Sequence, residues 1–201
     1  MFDRVMVINL RSRPDRWKSL QKRWPKALRQ PTLIEAFDGN NITKPANFKG
    51  NGAQFGNLLT HLKTLRLASY LTPPEGSALI LEDDVVFRRG FDTALAQFHR
   101  DVPTTWEAVM LGGQHALSAT PVSPGVVRCV ETYRTHAYAV IQPQLRPMAR
   151  ALMAWSDVTD GATSRIFAAL ETYAPRPWLC GQAAGPSDIS TLVEPERYWD
   201  D

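Results

Sequence analysis

The chain has 201 residues, of which 44% are hydrophobic and 21% charged, a composition typical of a globular domain. No apolar run approaches the roughly 20 residues that a membrane-spanning helix needs, and the start lacks a signal-peptide pattern. The sequence therefore predicts a cytoplasmic protein with one domain over residues 1–201. The two cysteines, Cys129 and Cys180, have no paired spacing, which argues against a zinc site or a disulfide framework.

The net charge of +3 is distributed unevenly along the chain. Residues 1–30 contain nine lysines and arginines but only two acids, a net charge of +7, while the remainder carries −4. A basic N-terminal part facing an acidic remainder predicts an anionic ligand near the N-terminus.

Apolar periodicity predicts strands that alternate with helices. In chain order we expect a strand at Arg4–Leu10, a helix from Pro14, a strand leading to the Asp38-Gly39 turn, a helix with Leu58, Leu62 and Leu65 inward, a strand at Ser77–Phe87, a helix near Phe91–His99, strands at Trp106–Gly113, Gly125–Glu131 and Thr135–Ile141, a helix from Pro143, and a mostly irregular segment over about 171–201. This order predicts an α/β fold with a mostly parallel central sheet flanked by helices. In such sheets, ligands bind at the carboxyl ends of the strands.

The stretch ALILEDDVVF (Ala78–Phe87) places three consecutive acids at such a strand end. Because side chains alternate along a strand, Glu82 and Asp84 are expected on one side and Asp83 on the other. Two carboxylates on one side can share a divalent cation, and oxygen ligands favour Mg²⁺ or Mn²⁺. A solvated strand end, with one acid capping the next helix, is the alternative, although the apolar run before the acids makes uncompensated charge costly there.

Several further motifs occur in a fixed order around this acidic stretch. They are VINLRSRPDRW, EAFDG, GNLLTHL, LILEDDV, WEAVMLGG, THAYAVI, VTDG, and a closing Gln182 with Ser187–Ser190. Together they resemble glycosyltransferase family 25, which includes lipopolysaccharide-biosynthesis enzymes and collagen galactosyltransferases. The resemblance implies a GT-A-like fold and inverting transfer of a hexose, galactose or glucose, from a UDP-sugar to an acceptor hydroxyl. It points first to a saccharide acceptor such as lipopolysaccharide core.

The resemblance also implies roles for particular residues. Glu82 and Asp84 would hold Mn²⁺ or Mg²⁺ on the donor diphosphate, and Asp188 would be a second metal ligand or an acceptor contact. Donor-binding residues would be Asn9, Arg11, Arg13, Arg16, Asp38, Gly39, Thr60, Asp83 and Gln182. Arginines suit a diphosphate because they make bidentate contacts. Thr60 stands where the family usually has serine, and Arg11 where it often has an acid.

Inverting transfer needs one general base to take the proton of the acceptor hydroxyl. Asp160 is the first candidate, although a helix N-cap is an alternative role for it. His61 and His136 are the other candidates, because an unperturbed histidine titrates near neutral pH. For each of them, the alternative is a buried histidine that only makes hydrogen bonds.

Two other functions remain open from the sequence. The basic N-terminal part also permits a nucleic-acid acceptor, namely hydroxymethylated DNA bases, to which binding would weaken steeply with salt. A non-catalytic, lectin-like relative that kept only the fold is the second alternative, and the intact acids at 82–84 argue against it. The oligomeric state is not predicted.

Overall fold

The computed structural model describes residues 2–154, 158–186, 188–189 and 193–199. Within them the helices are Pro14–Lys22 (α1), Gly52–Leu71 (α2), Phe91–Asp101 (α3), Gln142–Met153 (α4) and Thr159–Ala168 (α5), with a 3₁₀ turn at Gly39–Asn41. The strands are Arg4–Asn9 (β1), Thr32–Glu35 (β2), Ser77–Glu82 (β3), Val85–Phe87 (β4), Ala108–Leu117 (β5), Thr120–Ser123 (β6), Val126–Arg128 (β7), Glu131–Ile141 (β8), Thr172–Pro175 (β9), Cys180–Gln182 (β10), Gly185–Pro186 (β11) and Val193–Glu194 (β12).

One eight-stranded sheet forms the centre, in the order β2-β1-β3-β8-β5-β9-β7-β6. Strands β7 and β8 run opposite to the other six, so the sheet is mixed but mostly parallel in direction. Helices cover both of its faces. The predicted α/β class, with a mostly parallel central sheet flanked by helices, is confirmed.

Two hydrophobic cores lie on opposite faces of this sheet. Met6 and Ile8 of β1 pack with helices α2, α4 and α5 on one face, whereas Val5 and Val7 pack with α1 and α3 on the other. The same alternation continues through β3. Such a strand is buried on both faces, which is why its sequence is a continuous apolar run.

The predicted strand at Ser77–Phe87 is wrong in one respect, because it breaks after Glu82. Asp83 and Asp84 form a turn, and Val85–Phe87 pairs with β10 in a separate two-stranded sheet. Aspartate is unfavourable within a strand, and Asp83 and Asp84 make their side-chain contacts with other elements of the fold. The alternation of a strand therefore does not determine where these acids point. We call Glu82, Asp83 and Asp84 the acidic turn.

The segment about 171–201, expected to be irregular, contains a strand of the central sheet. Thr172–Pro175 is buried and lies between β5 and β7. Pro175 at its last position and Pro177 just beyond it obscured the strand pattern in the sequence. Residues 155–157 lie outside the described residues, as do Ser187 and Ser190 of the closing motif.

Other expectations are met by the described residues. Helix α1 has proline at its first position and ends before Pro25. Leu58, Leu62 and Leu65 are buried in α2. Both cysteines are free and buried. Among the described helices, none has the length and apolar character needed to cross a bilayer.

Candidate functional site

A cavity of about 390 Å³ opens at the carboxyl ends of β1 and β3, where the sheet topology places ligands in α/β folds. Its wall includes all three residues of the acidic turn. Other predicted residues that line it are Arg16, Asp38, Gly39, Thr60, Asp160, Gln182 and Asp188. Residues far apart in sequence thus meet around one polar depression.

Asp83 binds to the N-terminal part of the chain. Its Oδ2 accepts a hydrogen bond of 2.6 Å from Asn9 Nδ2, and its Oδ1 lies 3.2 Å from a guanidinium nitrogen of Arg16. Burial raises the pKa of Asp83, and the charge of Arg16 and the hydrogen bond from Asn9 offset part of that effect. Asp83 therefore fastens the acidic turn to β1 and α1.

Asp188 is held by two arginines. Both of its oxygens accept hydrogen bonds from Arg13, at 2.9 and 2.6 Å, and Arg16 lies 3.1 Å from Oδ2. Arg13 also forms two hydrogen bonds with Asp15, and this contact lowers the pKa of Asp15.

Arg13 does not line the cavity itself, and Arg11 is exposed beside a neighbouring shallow depression. The two donor-binding roles predicted for Arg11 and Arg13 stay predictions.

Glu82 ends β3 in a buried hydrogen-bonded chain. Its Oε1 accepts a hydrogen bond of 2.7 Å from Thr135 and lies 3.2 Å from His61 Nε2. The other ring nitrogen of His61 lies 3.0 Å from the hydroxyl of Tyr138. Burial by itself raises the pKa of Glu82, but the hydrogen bonds and charge of His61 and the bond from Thr135 hold it at about 2.

His61 is fully buried, and both of its ring nitrogens are occupied by these contacts. It lies behind Glu82 and does not line the cavity. This placement matches the alternative given above, a buried histidine that makes hydrogen bonds. His61 can orient Glu82, whereas an acceptor in the cavity does not reach it.

Asp84 is the least satisfied of the three acids. Its Oδ2 accepts a hydrogen bond of 3.3 Å from Gln182, and Arg16 is 3.9 Å away. Its Oδ1 is buried and has no hydrogen-bond partner among the described residues. Burial and the charges of Glu82 and Asp83 raise the pKa of Asp84 to about 7.

Asp160 lines the cavity from the first turn of α5. The helix N-cap is Val158, so the alternative role of Asp160 as the N-cap is wrong. Burial, followed by the charge of Glu82, raises the pKa of Asp160 to about 6. A carboxylate with this pKa can accept a proton near neutral pH.

His136 is fully buried behind the cavity, beside the ring of Trp199. Neither of its ring nitrogens has a hydrogen bond of normal geometry among the described residues. Burial lowers its pKa to about 4, although Glu82 and the Cys180 carbonyl act in the opposite direction. A Cβ atom on Gly112 would lie 2.3 Å from His136 Nε2, so only glycine fits opposite this ring.

The Asp38-Gly39 turn is packed against the start of α2. Asp38 accepts hydrogen bonds from the Asn40 amide and the Asn41 side chain. A Cβ atom on Gly39 would lie 2.0 Å from the Gly52 carbonyl oxygen, so this close approach requires glycine. Thr60 accepts a hydrogen bond from the Phe37 amide. Asp38 and Thr60 thus shape the cavity wall, and their donor contacts stay predictions.

Sequence reasoning missed several residues that line the cavity, among them Arg134, Thr135 and Trp199. Thr135 bonds Glu82, and Arg134 and Trp199 line the cavity. THAYAVI marked only the strand, and nothing in the sequence signals which side chain of its N-terminal half enters the cavity. In the part of the chain that is described, no three histidine, cysteine, aspartate or glutamate side chains form a complete metal-binding group.

No model of a protein family and no curated protein sequence matches the chain. Among solved structures, it is similar to a nucleoside-diphosphate-sugar pyrophosphorylase from Vibrio cholerae RC9, with a TM-score of 0.38 and 12% sequence identity. The match covers 86% of this chain and 72% of that chain. A similarity of this size assigns neither a family nor an activity to the chain.

Proposed function

We propose that the protein is a metal-dependent, inverting glycosyltransferase with a GT-A-like fold, related to glycosyltransferase family 25. Its reaction would move a hexose, galactose or glucose, from a UDP-sugar to a hydroxyl of a saccharide such as lipopolysaccharide core. The observation that carries this proposal is the cavity at the strand ends, where Asp84 presents an unpartnered carboxylate oxygen and Asp160 shares the same wall.

The acidic turn fits a hard divalent cation, Mn²⁺ or Mg²⁺. Mg²⁺ keeps several waters and is commonly held by one or two carboxylates together with substrate phosphates, so a three-residue protein cage is not required. Asp84 would hold the cation through its buried, unpartnered Oδ1. When bound, the cation supplies Lewis-acid neutralisation of the leaving diphosphate. Glu82 and Asp188, whose described contacts are to other protein groups, stay predicted contributors to this site.

Asp160 would take the proton of the acceptor hydroxyl. It lies in the cavity with the acidic turn, and its raised pKa of about 6 leaves it ionised and basic at neutral pH. An in-line displacement requires the base and the leaving group on opposite sides of the reacting carbon. His61 and His136 are fully buried behind the wall, which favours Asp160 over them.

The test is release of UDP from UDP-glucose and UDP-galactose with Mn²⁺ present, across a panel of saccharide acceptors. We expect release by the wild-type protein and loss of at least about a hundredfold in Asp84→Ala, because the carboxylate that would hold the cation is gone. Asp101→Asn, a half-buried acid at the end of α3 that does not line the cavity, is the matched control and should keep full activity. Unchanged release in Asp84→Ala would rule out the metal assignment.

The surface charge supports a second acceptor class. The basic residues at the end of α1 and beyond it are exposed, namely Lys18, Lys22, Arg23, Lys26 and Arg29. Such a surface attracts a polyanion. A hydroxymethylated DNA duplex placed beside the saccharides distinguishes the two, since transfer to DNA should fall steeply as salt rises. If no UDP-sugar raises the melting temperature and no UDP is released, the non-catalytic alternative gains.

A further inference from the structure

Arg134 and Trp199 have the same unusual backbone geometry. They are the non-glycine residues with positive φ in the described ranges, at 78° and 50°. This region is disfavoured for side chains with a Cβ atom. The two residues contact each other: the guanidinium carbon of Arg134 lies 4.8 Å from the centre of the Trp199 ring. The two disfavoured conformations therefore occur together, in the wall of the cavity.

The conformation of Arg134 has a local cause. The residue lies in β8 where the register with β5 shifts between Gly112 and Gln114. Bulges of this kind redirect a side chain and are common beside active sites. Here the half-buried arginine lines the cavity instead of following the sheet face.

Arg134 forms no ion pair with the residues that the structure describes. Arg16, the other arginine of the cavity, lies within 4 Å of Asp83, Asp84 and Asp188. Arg134 has no such ion pair; its contacts are the Trp199 ring and a long hydrogen bond of 3.4 Å to Gln114 Oε1. A partly desolvated guanidinium that is not engaged in an ion pair can bind an oxyanion.

The position of Arg134 assigns it to one side of the cavity. It directly precedes Thr135, which bonds Glu82, and its charge acts on Asp160 and His136. Arg16 lies on the other side, with Asn9 and Asp83. The guanidinium of Arg134 is therefore on the side of Asp160, away from the basic N-terminal part.

We propose that Arg134, held by Trp199, forms an anion-binding subsite that recognises a phosphate or carboxylate group on the acceptor. This assignment rests on the proposed function, because Asp160 identifies the acceptor side. The same wall would select acceptors that carry an anionic group near the reacting hydroxyl. Trp199 limits the rotation of the guanidinium, so Arg134 is oriented before the ligand binds.

Binding of inorganic phosphate tests the subsite directly, by calorimetry at constant ionic strength. Arg134→Asn and Arg134→Gly remove the charge, and both residues accept positive φ, so folding should be retained. We expect the Kd for phosphate to rise about ten- to a hundredfold in both variants. Arg134→Lys, which keeps a point charge but not the planar fork, should fall between these variants and the wild type.

Arg146→Asn is the matched control. Arg146 also stacks on an aromatic ring, that of Tyr70 at 4.7 Å, but does not line the cavity. Its loss should leave phosphate binding unchanged. An unchanged Kd in both Arg134→Asn and Arg134→Gly, with melting temperatures near that of the wild type, would overturn the subsite.

Two further arms separate the possible outcomes. Acetate in place of phosphate distinguishes a carboxylate preference from a phosphate preference. Repeating the titration with saturating UDP and Mg²⁺ distinguishes the acceptor side from the donor side. Arg134-dependent phosphate binding that persists supports an acceptor subsite, and binding that disappears overturns it in favour of the donor diphosphate.

If UDP release depends on Asp84 but phosphate binding does not depend on Arg134, only this inference fails. If phosphate binding depends on Arg134 but no UDP-sugar is consumed, the proposed function fails instead.

Discussion

The charged groups on the two sides of the cavity are stabilised in different ways. The first, the N-terminal wall, comprises Arg16, Asp83 and Asp188, which line the cavity, together with Asn9 and Arg13 beside them. Its two acids lie next to the guanidinium groups of Arg13 and Arg16, and both arginines are partly open to solvent. The second, the β8 wall, comprises Glu82, Thr135 and Asp160, which line the cavity, together with His61 and His136, which are buried behind them. There the groups are mostly buried, and hydrogen bonds and burial set their pKa values.

This difference indicates which of the two walls contributes more to the stability of the fold. Ion pairs that water can reach are screened and contribute little to stability. A buried charge that loses its partner is expensive, because nothing replaces the lost contact. We therefore expect substitutions in the β8 wall to change stability strongly and those at the rim of the N-terminal wall to change it little.

Removing His61 should have the largest effect on stability. In His61→Ala, Glu82 loses its imidazole partner and the Tyr138 hydroxyl loses its acceptor or donor, so we expect a loss of about 3–5 kcal/mol in the free energy of unfolding. Urea denaturation measures it. His99→Ala, an exposed histidine on α3, is the control and should be nearly neutral. An equal, small loss in both variants would contradict the importance of the buried chain.

His136 should make stability depend on pH. Its pKa is about 4 in the fold and 6.5 when exposed, so the unfolded chain binds more protons between these values and stability falls as pH drops through that window. We expect the difference in unfolding free energy between wild type and His136→Gln to change by about 2 kcal/mol from pH 7.5 to pH 5. Comparing the two proteins cancels the titration of other groups. A difference independent of pH would contradict the neutral, buried state.

Removing the charge of Asp84 should raise the stability of the fold, in contrast to the loss of activity expected for Asp84→Ala. Its folded pKa of about 7 lies above the usual 3.8, so ionisation destabilises the fold as pH rises through this range. Asp84→Asn should therefore be more stable than wild type at pH 8 without divalent cations. We expect a gain of roughly 1–2 kcal/mol, less than the full shift because the side chain remains partly solvated. Thermal denaturation measures it, and a loss of stability would contradict the repulsion among the three acids.

Asp15 should have the smallest effect. It forms a fork with Arg13, but its side chain is 64% exposed. Solvent screens such pairs, so Asp15→Asn should leave the melting temperature unchanged within error. A clear drop would mean that the N-terminal wall depends on Arg13 being held from both sides, by Asp15 and by Asp188.

Much of the fold could be predicted from the sequence, because apolar periodicity is a local property of the chain. The inward leucines of α2 and the continuous apolar run of β3 follow directly from it. The break after Glu82 was not visible, since Val85–Phe87 continues the apolar pattern on the far side of the acids. The contacts that hold the turn are tertiary, because Asn9 of β1 and Arg16 of α1 both bind Asp83.

The candidate site was predictable where a motif marked it. The acidic turn was found because its motif coincides with a strand end, and Asp160 was found through the VTDG motif; both line the cavity. The burial of His61 and His136 depends on packing between distant elements, so the sequence offered a buried histidine only as an alternative to a catalytic one. The positive φ angles of Arg134 and Trp199 could not be predicted from the sequence either, because neither residue type favours that conformation.

The pairing of β4 with β10 has a consequence for how the protein is made. The acidic turn is completed by Gln182, which bonds Asp84 from 98 residues later in the chain, and the Ala183 amide bonds the Asp84 carbonyl at 2.7 Å. On a ribosome, strands β1 and β3 emerge well before these partners. A nascent chain that pauses before β10 would hold three adjacent carboxylates with part of their environment still missing. Assembly of the site is therefore a late step of synthesis, and a polypeptide that ends short of Gln182 should build sheet without building the site.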